Sequence, residues 1–321
     1  MGYVAVRGGG KAIEESLKLL EYERVSTSSA WGTDEIEGTF PELVDQVMGE
    51  ASLYAPRLAA LALKQAQGSP DEAVFLLRAF RSTLERPYVS RPVDTGAMRV
   101  ARRVSAAFKD VPGGQVLGAT RDYTPPPAGV RSWKRKAYEE LAEKRSCLRA
   151  HFDEATEAVE EGVPATMPRV LDYLRGQGLL PAVADDATAP VDATMVPLSF
   201  PAPRSVRLQT LARGMTQAVE ALGYAAIRGF GPAHPTVGEL RAGRVAVSVD
   251  HPLEAGGAED AYYLGSIPVT EVESVFECEG SSQGASEQGL SMEVGYGLVF
   301  GRAETKAIAM SVLDHCLEHG D

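Results

Sequence analysis

Hydrophobic positions along this chain recur with two periods, and the change between them divides it into segments of different kinds. From Asp34 to Arg86 the period is helical. Pro56 stands where a first turn would start, and Leu58, Leu61 and Ala62 give its stripe. Ser69-Pro-Asp-Glu72 is a capping box with proline at the first helical position. Ala73, Leu76, Leu77, Phe80 and Leu84 then line one face, with Arg78, Arg81 and Glu85 off it. That polar side predicts a solvated face with an Arg81–Glu85 pair, and phosphate binding by the arginines is the alternative. A second stripe, Leu208, Leu211, Met215, Ala218, Val219 and Leu222, predicts one helix.

Period two takes over near the C-terminus. Val245, Val247 and Val249 alternate with Arg244, Ala246 and Ser248, a half-buried strand. Ser266 to Phe276 reads as a strand whose alternation slips near Thr270, as at a bulge, with Pro268 suggesting an edge. Met292, Val294, Tyr296, Leu298 and Phe300 share one face of a further strand. Gly295, Gly297 and Gly301 fall on the other face, with Glu293 and Val299. Repeated glycine there implies close approach of a backbone or a ligand. The strand runs into a helix from about Arg302 to Leu317, so an anion at the helix start and tight strand–helix packing both fit.

Other segments punctuate the chain. Tyr3-Val-Ala-Val is strand-like, and Gly8-Gly-Gly-Lys11 leads into a helix from about Ala12. The spacing GxxxxGK[ST] is absent, so a tight turn is the simpler reading. Arg99, Arg102 and Arg103 predict a local positive patch, followed by a sharp turn at Lys109-Asp-Val-Pro-Gly-Gly-Gln. Pro125-Pro-Pro looks like a boundary. Ser132 to Glu161 is a long charged helical segment, and Asp185 to Pro203 an extended linker. The expected organisation is a mainly helical domain over 1–124, a charged insert and linker over 125–203, and an α+β domain over 204–321.

Composition narrows the function classes. A 321-residue chain with 24% charged and 44% hydrophobic residues is ordinary for a globular protein. A formal net charge of −12 argues against non-specific nucleic-acid binding. No apolar run is long enough to span a bilayer and no signal-peptide pattern starts at Met1, which predicts a cytoplasmic, membrane-free protein. Cys147, Cys278 and Cys316 are widely spaced and odd in number, so they suggest neither a disulfide framework nor a CxxC metal site.

Candidate chemistry concentrates between the helical stripe and the valine strand. The turn-rich connection Arg228-Gly-Phe-Gly-Pro-Ala-His-Pro and the following Gly238-Glu-Leu-Arg-Ala-Gly carry Arg228, His234, Glu239 and Arg241. Loops between rigid elements are where sites are commonly built.

Several blocks resemble the PhnI family, a subunit of the bacterial carbon–phosphorus lyase core complex. They are Tyr3-Val-Ala-Val-Arg-Gly-Gly-Gly-Lys-Ala-Ile, Leu61-Ala-Leu-Lys-Gln-Ala and Glu72-Ala-Val-Phe-Leu-Leu-Arg-Ala-Phe-Arg-Ser-Thr-Leu. Arg102-Arg-Val-Ser-Ala, Lys109-Asp-Val-Pro-Gly-Gly-Gln, Asp122-Tyr-Thr, Arg207-Leu-Gln, His234-Pro and Gly238-Glu-Leu-Arg continue the series. Gly295-Tyr-Gly-Leu-Val-Phe-Gly and Lys306-Ala-Ile-Ala-Met close it, while the segment 125–165 does not follow the family pattern.

The resemblance implies an α+β fold with a helical N-terminal region and, as read from the residues, a mainly antiparallel sheet flanked by helices. It implies phosphonate catabolism, in which such subunits exchange the adenine of ATP for a phosphonate and alone release the base of a purine nucleoside triphosphate such as GTP. It also implies PhnG-, PhnH- and PhnJ-like partners and a homodimer, for which the apolar 55–86 helices are the expected interface. The second hypothesis is a non-catalytic scaffold subunit. Displacement at an anomeric carbon needs cations on the triphosphate, a proton for the departing base and a carboxylate beside an oxocarbenium-like transition state. The candidates are Arg204, Arg207, Arg228 and Arg241 for the first, His234 for the second and Glu239 for the third. The resemblance itself does not assign these roles.

Metal is not expected in this chain. The family's zinc is held by two histidines in a tail beyond the Gly295–Asp314 region, and the sequence stops at Asp321. His315 and His319 share a helix face, but their positions are not the family's zinc ligands and two donors leave a zinc site short. Offsetting the helix dipole is their simpler use.

Overall fold

Residues 9–26, 31–118, 146–147, 167–180, 190–229, 235–251, 253, 261–278 and 291–319 are described by the structure, a computed structural model. The strand expected at Tyr3 and, apart from Ser146 and Cys147, the helix over Ser132–Glu161 lie outside these residues. The fold is α+β. It divides into two compact units, Met1–Glu85 and Arg86–Asp321.

The first unit is helical: α1 (Gly9–Val25), α2 (Thr33–Thr39), α3 (Pro41–Ala51), α4 (Pro56–Gln65) and α5 (Pro70–Arg81). Prolines open α3, α4 and α5, where their missing N–H groups leave no helical bond unmade. Ser69 caps α5 as the capping box predicts, its hydroxyl accepting from the Glu72 N–H at 3.4 Å. The stripe on α5 is split: Ala73, Val74 and Leu77 are buried, whereas Leu76, Phe80 and Leu84 stay exposed. The polar side is exposed at Arg78 and Glu85, as expected, while Arg81 is half-buried and both arginines reach α3. Arg78 donates to the Glu50 carbonyl (2.8 and 3.1 Å) and Arg81 to the Ala51 carbonyl (3.0 Å), both at the end of α3. Those carbonyls have no intrahelical partner, so cations satisfy them and offset the dipole together.

Among the described residues, the second unit holds a four-stranded antiparallel sheet in the order β1 (Arg99–Val104), β2 (Thr236–Asp250), β3 (Ala261–Cys278), β4 (Ser291–Phe300). Helix α6 (Val170–Gly176) touches the sheet at β2. Helices α7 (Arg204–Arg213) and α8 (Thr216–Gly229) both pack on α9 (Glu304–His319). On the α9 side Leu240, Val272 and Val299 close over Ala307 and Met310.

Three expectations change here. The single stripe from Leu208 to Leu222 is shared by two helices, broken at Gly214. Buried Lys306 draws the break in, donating to the Ala212 and Gly214 carbonyls at 2.9 and 2.7 Å. Pro268 sits in a central strand, not an edge strand. Its carbonyl accepts from the Gly301 N–H at 2.8 Å, so its ring nitrogen faces the same side, past Phe300, the last residue of β4. Thr270 is no bulge either; the register shifts lie at Val237/Glu239 and Val247/Ser248. Alternation is blurred at Thr270 because β3 is buried on both faces.

The glycines of β4 resolve in favour of packing. A Cβ on Gly295 would overlap the Ser311 carbonyl oxygen, and one on Gly297 the Ala307 carbonyl oxygen. Close approach is by the backbone of α9.

Candidate functional site

Glu239 and Arg241 are not in a loop. The segment from Gly238 to Gly243 belongs to β2, and period two puts both side chains on the sheet face away from α9. Antiparallel pairing sets Glu239 opposite Glu273 and Arg241 opposite Glu271, while Tyr296 of β4 stands beside Glu273. Arg103 of β1 faces Arg241. A strand face carrying these groups can be buried only if its charges are matched, and they are.

Each partner is specific. Arg103, fully buried, donates from Nε to Glu239 Oε1 at 2.5 Å and from its Nη atoms to the Pro112 (2.6 Å) and Pro168 (2.7 Å) carbonyls. Glu239 Oε2 accepts from the Val170 N–H at 3.0 Å, the first residue of α6. Both oxygens of Glu239 are therefore occupied. Arg241 pairs with Glu271 Oε2 and donates to the Thr95 carbonyl at 2.9 Å. Glu271 Oε1 accepts from the Thr95 hydroxyl at 2.7 Å and the Tyr296 hydroxyl at 2.9 Å. Arg169 reaches the same oxygen at 3.2 Å, and Arg175 reaches Glu273 at 3.5 Å. The patch expected at Arg99, Arg102 and Arg103 is thus dispersed: Arg103 is internal, and Arg102 pairs with Glu304 at 2.7 Å.

The carboxyl groups of the two β3 glutamates are shifted in opposite directions from their ordinary value. Burial alone would raise Glu271, but Arg241, Arg169 and the hydrogen bonds from Thr95 and Arg241 outweigh it and hold the carboxyl below its ordinary value. Glu273 is raised, chiefly by burial, with Arg175 opposing and Glu271 adding to the shift. Burial and then Glu271 push the Tyr296 phenol well above its usual range, so it remains a donor. Among the described residues, buried Arg169 Nε, Arg175 Nε and Arg241 Nη1 have no hydrogen-bond partner. Unmatched guanidinium donors beside a protonatable carboxyl can hold an anion and deliver a proton.

The other candidates lie elsewhere. Arg204 is bidentate to Asp314 of α9 (3.1 and 2.6 Å), and this bonding, against the cost of burial, raises its pKa. Asp314 also accepts from the Tyr296 backbone N–H at 2.9 Å, which joins this pair to the sheet network. Arg207 pairs with Glu318 and donates to the Ala202 carbonyl at 2.8 Å. Arg228 is exposed at the end of α8, its guanidinium 5.4 Å from the Tyr224 ring centroid. His234 lies outside the described residues. So the structure brings Glu239 and Arg241 into one network, links Arg204 to it only through Asp314 and the Tyr296 backbone, and pairs Arg207 separately with Glu318. Reading by residue missed Arg169, Arg175, Glu271, Glu273 and Tyr296. One signal was there: Glu271-Val-Glu273 and Glu239-Leu-Arg241 place like-spaced charges on two apolar strands, which pairing must match.

Comparison with known proteins agrees along the whole chain. The "Putative C-P lyase subunit protein HtxH" of Stutzerimonas stutzeri is 42% identical over 324 residues, covering 100% of this chain and 83% of that protein. The "Alpha-D-ribose 1-methylphosphonate 5-triphosphate synthase subunit PhnI" of Rhizobium meliloti is 42% identical over 319 residues, 98% of this chain and 80% of the relative. Its namesake in Escherichia coli is 40% identical over 318 residues, 98% and 83% of the two chains. The family model described as "Bacterial phosphonate metabolism protein (PhnI)" matches residues 2–321, and the chain belongs to that family.

Proposed function

We propose that this chain works in cytoplasmic phosphonate catabolism as the subunit that, with PhnG-, PhnH- and PhnJ-like partners, replaces the adenine of ATP by a phosphonate. The product is α-D-ribose 1-phosphonate 5-triphosphate. Alone, it releases the base of a purine nucleoside triphosphate such as ATP or GTP. The observation that carries this reading is the pair Glu271 and Glu273, two residues apart on one strand face and shifted in opposite directions. Carboxyls whose environments push their pKa values apart divide acid and anion roles between them.

In this reading Glu273 gives its proton to the departing base as the glycosidic C–N bond breaks with its electron pair. A phosphonate oxygen then forms the new bond to the anomeric carbon; in the partial reaction water does so and gives its proton to the Glu273 carboxylate. Ionised Glu271, its oxygens taken by Arg241, Thr95 and Tyr296, acts through its charge, which favours the protonated form of Glu273. Arg169 and Arg175, partly exposed near α6, take the triphosphate, while buried Arg241 holds Glu271 in place behind them. Glu239 and Arg103 hold α6 in place. Arg204 and Arg207, already paired, secure α9, and His234 is the alternative proton donor. Incubation with ATP or GTP and chromatography of free base tests this. Glu273→Gln is expected to lower kcat by about 10²–10⁴-fold, and Arg175→Ala to raise KM about tenfold or more. Free base at wild-type rates from both variants would sink the assignment.

The scaffold reading has one observation in its favour. Leu61, Leu76, Phe80 and Leu84 leave apolar surface exposed on α4, α5 and the turn after it, which suits a homodimer or a partner subunit. No base released at any concentration, alone or with partners, would favour the scaffold. Light scattering is expected to show dimers, and monomers alone over a wide concentration range would exclude self-association through this face.

A further inference from the structure

We infer that Glu293 of β4 and His315 and His319 of α9 form a binding site for a divalent transition metal of the zinc class. Each contributes one donor atom, and the three atoms lie within 4.8 Å of one another. Glu293 Oε2 is 2.7 Å from His315 Nε2 and 3.4 Å from His319 Nδ1. Zinc–nitrogen and zinc–oxygen bonds of about 2.0–2.2 Å place tetrahedral neighbours about 3.3 Å apart, so side-chain rotation alone brings these atoms onto one ion.

The position follows from the β4 glycines. Gly295 and Gly297 let α9 lie against the strand, and Glu293 is the next residue on that face, two positions before Gly295. It therefore meets the last two turns of α9, where i,i+4 spacing presents both imidazoles together. His315 is buried and stacked on Phe276, 3.6 Å between centroids with rings 5° from parallel, so one donor is held in place before any ion arrives. His319 is about 39% exposed and leaves a coordination position toward solvent. Three protein donors and an open fourth place are the pattern of an accessible zinc site.

Offsetting the helix dipole does not account for this arrangement. It needs no strand residue and no convergence of the rings, whose centroids are 4.5 Å apart. Two imidazolium ions at that distance repel each other. A single shared cation uses both nitrogen lone pairs and the carboxylate charge at once.

The test is titration of the full chain, freed of metal by chelator and carrying no histidine tag, with cobalt(II) followed by zinc. The wild type is expected to take up one cobalt with the visible bands of a low-coordinate ion and to exchange it for zinc. His319→Ala, an exposed change that leaves the fold intact, and Glu293→Gln are each expected to weaken uptake at least tenfold. Absence of cobalt and zinc uptake at micromolar concentrations would overturn the proposal. Uptake equal in wild type and both variants would do so as well.

Discussion

Glu239→Gln is expected to destabilise the fold by about 3–5 kcal/mol, because it leaves the fully buried Arg103 without its counter-charge. The geometry sharpens the effect. Glu239 accepts with both oxygens, one from Arg103 Nε and one from the Val170 N–H. In glutamine one of those positions becomes an NH₂ group facing a donor. Chemical denaturation followed by circular dichroism gives the value, and base release measured below the transition separates fold from chemistry. A variant that unfolds at the wild-type midpoint yet releases no base would return Glu239 to the chemistry. A lowered midpoint with residual turnover in the folded fraction fits its place at the start of α6.

The second large effect is expected at Gly295. Alanine there puts a methyl group into the Ser311 carbonyl, which is backbone and cannot turn aside, and 3.1 Å from His315 Cβ. Strain of this kind costs about 1–3 kcal/mol or more. Retreat of α9 also draws His315 off Phe276 and away from Glu293. Gly295→Ala should therefore lower the unfolding midpoint and weaken cobalt uptake together, whereas Gly38→Ala, at an open helical position, should raise the midpoint slightly and leave cobalt uptake unchanged. Unaltered stability in Gly295→Ala would mean that α9 lies farther from β4.

The two proposals rest on opposite faces of one sheet and fail separately. Loss of nucleotide chemistry in Glu273→Gln says nothing about Glu293, and loss of metal in His319→Ala says nothing about the arginine cluster. Tyr296 lies between them: its hydroxyl donates to Glu271, and its backbone N–H to Asp314 of α9.

Local rules were enough for much of this chain. The capping box at Ser69, the prolines opening α4 and α5, and the face of β4 follow from one or two turns of sequence, because their causes are local. The α+β class follows from the change of period. Which partner each charge takes does not. Glu239 and Arg241 looked like loop residues because glycines flank them, yet those glycines lie within a strand. The contacts of Arg78 and Arg81 were not legible because nothing within one helix marks the terminal carbonyls of another as their acceptors. His315 and His319 supplied two donors, as helical spacing requires, and the third came from a strand 22 residues upstream of the first. Side-chain direction is set by local period, whereas the pairing of strands and the approach of α9 are decided by burial across long sequence separations. Only when those faces met did the charges acquire partners.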